Sequence, residues 1–132
     1  MASQFLFHPV LVHFPIAFYL LELVLLVVWA RKRAAVYHRF ALISFKLGYL
    51  FMTFAMITGF LDAGGFKGIG GEVSRHFYVA LSVFILYTAR AGYLWTAKER
   101  TQTYIFLHLA GAVIGAILVG YAAYLGGRLV YA

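Results

Sequence analysis

Val10–Ala30 reads VLVHFPIAFYLLELVLLVVWA: 21 residues holding one carboxylate, one histidine and no lysine or arginine. Coiled into an α-helix at 1.5 Å per residue, such a stretch reaches about 30 Å, the thickness of a bilayer's hydrocarbon core. Backbone N–H and C=O groups have no water to bond there, so an apolar run of this length must be helical. The rest of the chain agrees. Hydrophobic residues make up 64% of its 132 residues and charged ones 11%, against roughly 25% charged in a soluble domain. The polar side chains are too few to cover a water-facing surface. That excludes an ordinary soluble enzyme, a disordered tail and a nucleic-acid-binding module, in spite of a net charge of +7. With no cysteine in the chain, disulfides, thiolate metal centres, iron–sulfur clusters and covalent c-type haem are excluded as well.

Three further stretches are long enough to span: Phe40–Leu61, His76–Thr96 and Tyr104–Leu125. Met1–Phe7 has no basic residue, and Arg31-Lys32-Arg33 follows the apolar run instead of preceding it. The first span is therefore expected to be a retained helix, not a cleaved leader. Arg31, Lys32, Arg33, Arg39, Lys98 and Arg100 fall on one side, which the positive-inside rule makes cytoplasmic. Lys67, Arg75 and Arg128 fall on the other, partly offset by Asp62 and Glu72. Trp29, Trp95, Tyr37 and Tyr104 occupy the level of an aromatic belt on the basic side. Short connections make sequential helices antiparallel neighbours. The expectation is one all-α domain over residues 1–132, an integral membrane four-helix up-down bundle. Both termini lie on the periplasmic side of a bacterial cytoplasmic membrane. The glycine-rich segment Asp62–Arg75 lacks the Lys-Ser/Thr pair of a phosphate-binding loop and reads as an external turn.

Ionisable groups at membrane depth are costly, so their positions carry the information. They form two layers. The outer one holds His8, His13, Asp62, His76 and Arg128. Pro9 suits the first turn of a helix, and Pro15 removes the N–H that would bond the Leu11 carbonyl, so this end of the helix should bend or loosen. His8 and His13 are separated by about 140° on a regular helix and do not share a face. Histidines on different helices facing across a gap can ligate haem iron from both sides, and a nearby carboxylate can orient the ring. The inner layer holds Glu22 at a depth of about 12 Å, Lys46 and Arg90 at about 9 Å, and His108 at about 6 Å. Glu22 is placed to pair with Lys46, Arg90 or both; the two basic side chains can also snorkel. His108, Gly111 and Gly115 share a helix face that allows close helix packing or leaves room for a macrocycle. His38 reads as lying outside the span.

The run His8-Pro9-Val10-Leu11-Val12-His13-Phe14-Pro15-Ile16-Ala17 resembles the opening HPxxVHFPIA signature of a bacterial membrane family, domain of unknown function 2231. Gly59-Phe60-Leu61-Asp62, His76 and Tyr124-Leu125-Gly126-Gly127-Arg128-Leu129-Val130-Tyr131 follow in the family's order, with Tyr124 where a tryptophan is associated with the pattern. The resemblance implies a four-helix membrane domain whose shared polar residues sit on the outer side. It also brings electron transfer into view, since some relatives look to be joined to redox domains.

Three functions remain open. The first is a b-type haem (haem b) electron-transfer subunit of a larger respiratory or photosynthetic complex. Here His13 and His76 are axial ligands, His8 an alternative ligand or propionate partner, Asp62 the orienting group and Arg128 a propionate's charge partner. The second is a structural subunit without a cofactor, docked on other membrane subunits. The third is a small exporter with Glu22 as the coupling carboxylate. No catalytic constellation supports an enzyme acting by itself, and the expected partners are lipid and membrane proteins, not nucleic acid.

Overall fold

The computed structural model describes residues 7–97 and 101–131, and every regular element among them is helical. Helix α1 covers Phe7–Leu11 and α2 His13–Lys32; α3 runs from Ala35 to Asp62, α4 from Gly71 to Thr96 and α5 from Gln102 to Tyr131, with a 3₁₀ turn at Gly65–Gly68. Taken through the α1–α2 joint, four helical segments are long and apolar enough to cross a membrane. Lys98 and Arg100, part of the expected charge asymmetry, lie outside the described residues.

The expected spans are present, and the helices run beyond them. α3 begins at Ala35 instead of Phe40, α4 at Gly71 instead of His76, and α5 ends at Tyr131 instead of Leu125. Apolar runs mark only the hydrocarbon layer, whereas a helix can continue into the headgroup region, where water satisfies its polar side chains. The extension corrects one reading: His38 belongs to α3 and is buried.

The first helix is interrupted for one residue at Val12, whose backbone stays in the right-handed helical region and whose N–H still bonds the His8 carbonyl at 3.0 Å. Proline at position 15 cannot donate to the Leu11 carbonyl, so the regular bonding lapses there and α1 meets α2 at a joint. At the opposite end, Arg33 takes a left-handed conformation (φ 56°) and its N–H bonds the Trp29 carbonyl at 2.8 Å. Arg31 and Lys32 in that last turn complement the negative end of the helix dipole. Gly64, Gly65 and Gly71 have positive φ where the chain turns from α3 to α4.

α2 packs most extensively on α3 and also on α5; α4 packs on α5, and α3 meets α4 only sparingly. One core cluster gathers Tyr19, Phe45, Met52, Val83, Tyr87 and Val119. A second, towards the basic end, gathers Leu26, Trp29, Ala41, Tyr104, Ile105 and Ala112. Outward-facing Leu20, Val24, Leu50, Phe54, Ile85 and Ile117 are exposed, as lipid contact requires. Lipid tails are as apolar as these side chains, so burial alone does not hold the helices together; packing and interhelical hydrogen bonds do. The belt expectation divides. Trp95 is 91% exposed, while Trp29 and Tyr104 are turned into the bundle at 5% each.

Candidate functional site at the histidine end

His8 on α1 and His76 on α4 stand edge-on to one another, with ring centroids 6.1 Å apart and planes at 77°. Each ring is fixed in the same way. His8 Nδ1 lies 2.9 Å from the Ala55 carbonyl oxygen of α3, and His76 Nδ1 lies 3.0 Å from that of Ala122 on α5. A carbonyl can only accept, so Nδ1 carries the proton in both rings. In the neutral imidazole Nε2 is then left with its lone pair available.

The seats repeat too. Ala55 is followed four residues later by Gly59, and Ala122 by Gly126. Helical side chains lean towards the N-terminus, so a residue at i+4 overhangs the carbonyl at i. Glycine leaves that carbonyl bare. A Cβ at Gly59 would come within 2.7 Å of His8 Cε1, and one at Gly126 within 3.0 Å of His76 Cε1. Gly59 and Gly126 thus give the rings access to a second helix.

The two imidazoles border a cavity of about 340 Å³, lined by residues including Pro15, Tyr19, Met52, Ala80 and Val119. His13 also borders it, but its ring is exposed and its Nδ1 stands 2.6 Å from the Pro9 carbonyl of its own chain turn. The structure therefore sets His8, not His13, against His76. The separation of the two faces along the helix was legible in the sequence; which one turns inward was not. Asp62 and Arg128 do not border the cavity. Asp62 closes α3, and the hydrogen bonds that orient the two rings run to the backbone carbonyls of Ala55 and Ala122 instead. Arg128 is exposed. Among the described residues no group of three or more His, Cys, Asp or Glu side chains is placed to hold a metal ion.

A second polar layer lies deeper. Arg90 reaches across the bundle to Glu22, which is 0% exposed, through both guanidinium nitrogens: Nη2 to Oε1, and Nη1 to Oε2 at 3.3 Å. Arg90 Nη2 also donates to His108 Nδ1 at 3.1 Å. His108 stands edge-on to His38 at 5.7 Å, and His38 Nε2 meets Tyr104 Oη at 2.9 Å. All four spans contribute to this network. Arg90 does not snorkel, and Lys46 takes no part in it, being exposed on α3. The Gly111–Gly115 face is filled by side chains: a Cβ there would meet Arg90 Nε at 2.9 Å and Tyr87 Oη at 2.5 Å. Close contact is its role, with α4 side chains as the occupants. Glu22 is sealed in a fork of hydrogen bonds, unlike a coupling carboxylate open to exchange.

The segments that build the histidine end lie in order along the chain, and the family model described as a predicted membrane protein (DUF2231) matches residues 5–132. The chain belongs to that family. No curated protein and no solved structure gives a match. In this DUF2231 protein, the motif residues His8, Gly59, His76 and Gly126 interlock at one end, while the Glu22–Arg90 network occupies the other half of the bundle.

Proposed function

We propose that this protein is a membrane redox subunit whose histidine end would hold haem b, with His8 and His76 as the residues that would ligate its iron. The observation carrying this reading is the imidazole pair brought together from α1 and α4, with ring centroids 6.1 Å apart. Donation of Nδ1–H to a backbone carbonyl is the usual support for a ligating histidine, since it fixes the tautomer and raises the basicity of Nε2. Small residues (Ala55, Ala80, Ala122, Ala123, Gly126 and Gly127) on the cavity wall suit a flat macrocycle. Haem supplies one-electron chemistry there; the protein fixes the ligands and keeps the surroundings apolar. His13 stands at the edge of the site and Arg128 beyond it, on the water side, where a propionate would emerge. The basic end faces the cytoplasm of a bacterial cell, and the redox partner is another subunit of the same complex.

The test is a reduced-minus-oxidised absorption spectrum of the detergent-purified protein. A Soret band that disappears in His8→Ala and in His76→Ala, and persists in His13→Ala, supports the assignment. A colourless wild type, or a band surviving the double His8→Ala/His76→Ala change, ends it. One observation favours a cofactor-free structural subunit instead: each imidazole already bridges two helices through its own hydrogen bond. That reading expects a colourless protein in which His8→Ala and His76→Ala lower thermal stability.

A further inference from the structure

The basic half of the lipid-facing surface carries a groove between α2 and α3. Its volume is about 280 Å³, and Phe18, Leu21, Leu25, Phe40, Ile43 and Leu47 line it. The exposed cations Arg39 and Lys46 flank it on α3, and Arg31, Lys32 and Arg33 stand above it at the turn between the two helices. On a regular helix Arg39, Ile43 and Lys46 fall within about 60° of one another, so the cations border the groove at Ile43.

Lys46 is the residue to be explained. It lies about 16 Å from the start of α3, exposed where lipid surrounds the helix. A cation there needs an anion or a route to water. Cα–Cβ bonds on α3 tilt towards its N-terminus, the basic end, which sends the lysine stem towards the headgroups. Ala34, at the N-cap of α3, has no side-chain acceptor to cover the first-turn N–H groups. The positive end of a 28-residue helix therefore faces the same layer.

We infer that this groove is a binding site for an anionic phospholipid of the leaflet at the basic end, its acyl chain between α2 and α3 and its phosphate held by Arg39 and Lys46. A zwitterionic lipid offers the same chain with its phosphate charge offset. The site is independent of any haem.

Native mass spectrometry of the full chain in detergent, given phosphatidylglycerol or phosphatidylcholine with matched chains, tests the inference. Each cation near a membrane surface contributes about 1 kcal/mol, or about fivefold, so two give roughly 25-fold tighter retention of phosphatidylglycerol. Equal retention of the two lipids overturns the proposal, a comparison that needs no variant. The double change Arg39→Gln/Lys46→Gln reduces phosphatidylglycerol to the phosphatidylcholine level; a preference that survives it overturns the assignment. Leu47→Trp, which fills the groove, weakens both lipids, and undiminished binding rejects the acyl-chain site. Soluble glycerol phosphate does not displace the lipid. Displacement would show a plain phosphate site and reject the proposal.

Discussion

Gly59 and Gly126 show how a missing side chain can position one that is present. Each lies four residues after an alanine whose carbonyl accepts from a histidine of another helix. Gly59→Ala and Gly126→Ala force the ring, the carbonyl or the helix to shift, at about 1–3 kcal/mol for an overpacked contact. Both are expected to lower the detergent melting temperature and displace the imidazole. Gly92 is the control. A Cβ there meets nothing within 4 Å, so Gly92→Ala should be neutral or stabilise by up to about 1 kcal/mol through helix propensity alone. A Gly59→Ala variant as stable as Gly92→Ala would show that His8 does not depend on its seat. These seats were present in the sequence as Ala-x-x-x-Gly on two helices, but the spacing alone does not say that a ring fills the gap. Small residues four apart serve helix–helix contact equally well.

At the level of the element, α1 lays His8 on α3 while His13, at the start of α2, is exposed. Pro15 leaves the Leu11 carbonyl without its usual N–H partner next to the α1–α2 joint. Pro15→Ala restores an N–H for the Leu11 carbonyl and favours one continuous helix. His8 should then leave the Ala55 carbonyl, observable as a changed ¹⁵N shift at its Nδ1, with a gain in helical circular dichroism. An unchanged His8 signal would show that packing of α1 on α3, rather than proline, makes the bend. The interruption at Val12 was legible from Pro15. The helix on which His8 docks was not, because a missing hydrogen bond loosens a helix without aiming it. The same distinction applies to His38. Its sequence position placed it at a span's edge, and α3 carries it inside, against Trp29 and Tyr104.

Across the whole molecule, the Glu22–Arg90 pair joins α2 to α4, which lie on different sides of the bundle, with His108 of α5 sharing Arg90. Removing one partner strands a buried charge. Glu22→Leu or Arg90→Met alone should therefore destabilise by about 3–5 kcal/mol, whereas the double change should recover much of that loss. A double-mutant cycle on thermal unfolding measures the coupling, and additive effects would show that the two residues act separately. Charge distribution governs a second property at this scale. With four spans the two termini share one side, and the proposed orientation, which rests on the basic turn at Arg31–Arg33, puts that side outward. Alkaline phosphatase fused to either terminus should be active, while a fusion in the Arg33–Ala34 turn should not. The reverse pattern would invert the proposed orientation.

Four apolar runs, two prolines and a one-sided cluster of cations determined the class of this protein by themselves. A bilayer tests each segment separately, for length, for hydrophobicity and for flanking charge, and those properties are local. The pairing of His8 with His76, the closing of Arg90 on Glu22 and the outward turn of Lys46 were decided by tertiary structure. Each depends on the rotation of one helix relative to another, which a uniformly apolar surface scarcely encodes. That rotation follows from where glycines let a ring approach and where a buried polar atom finds its partner.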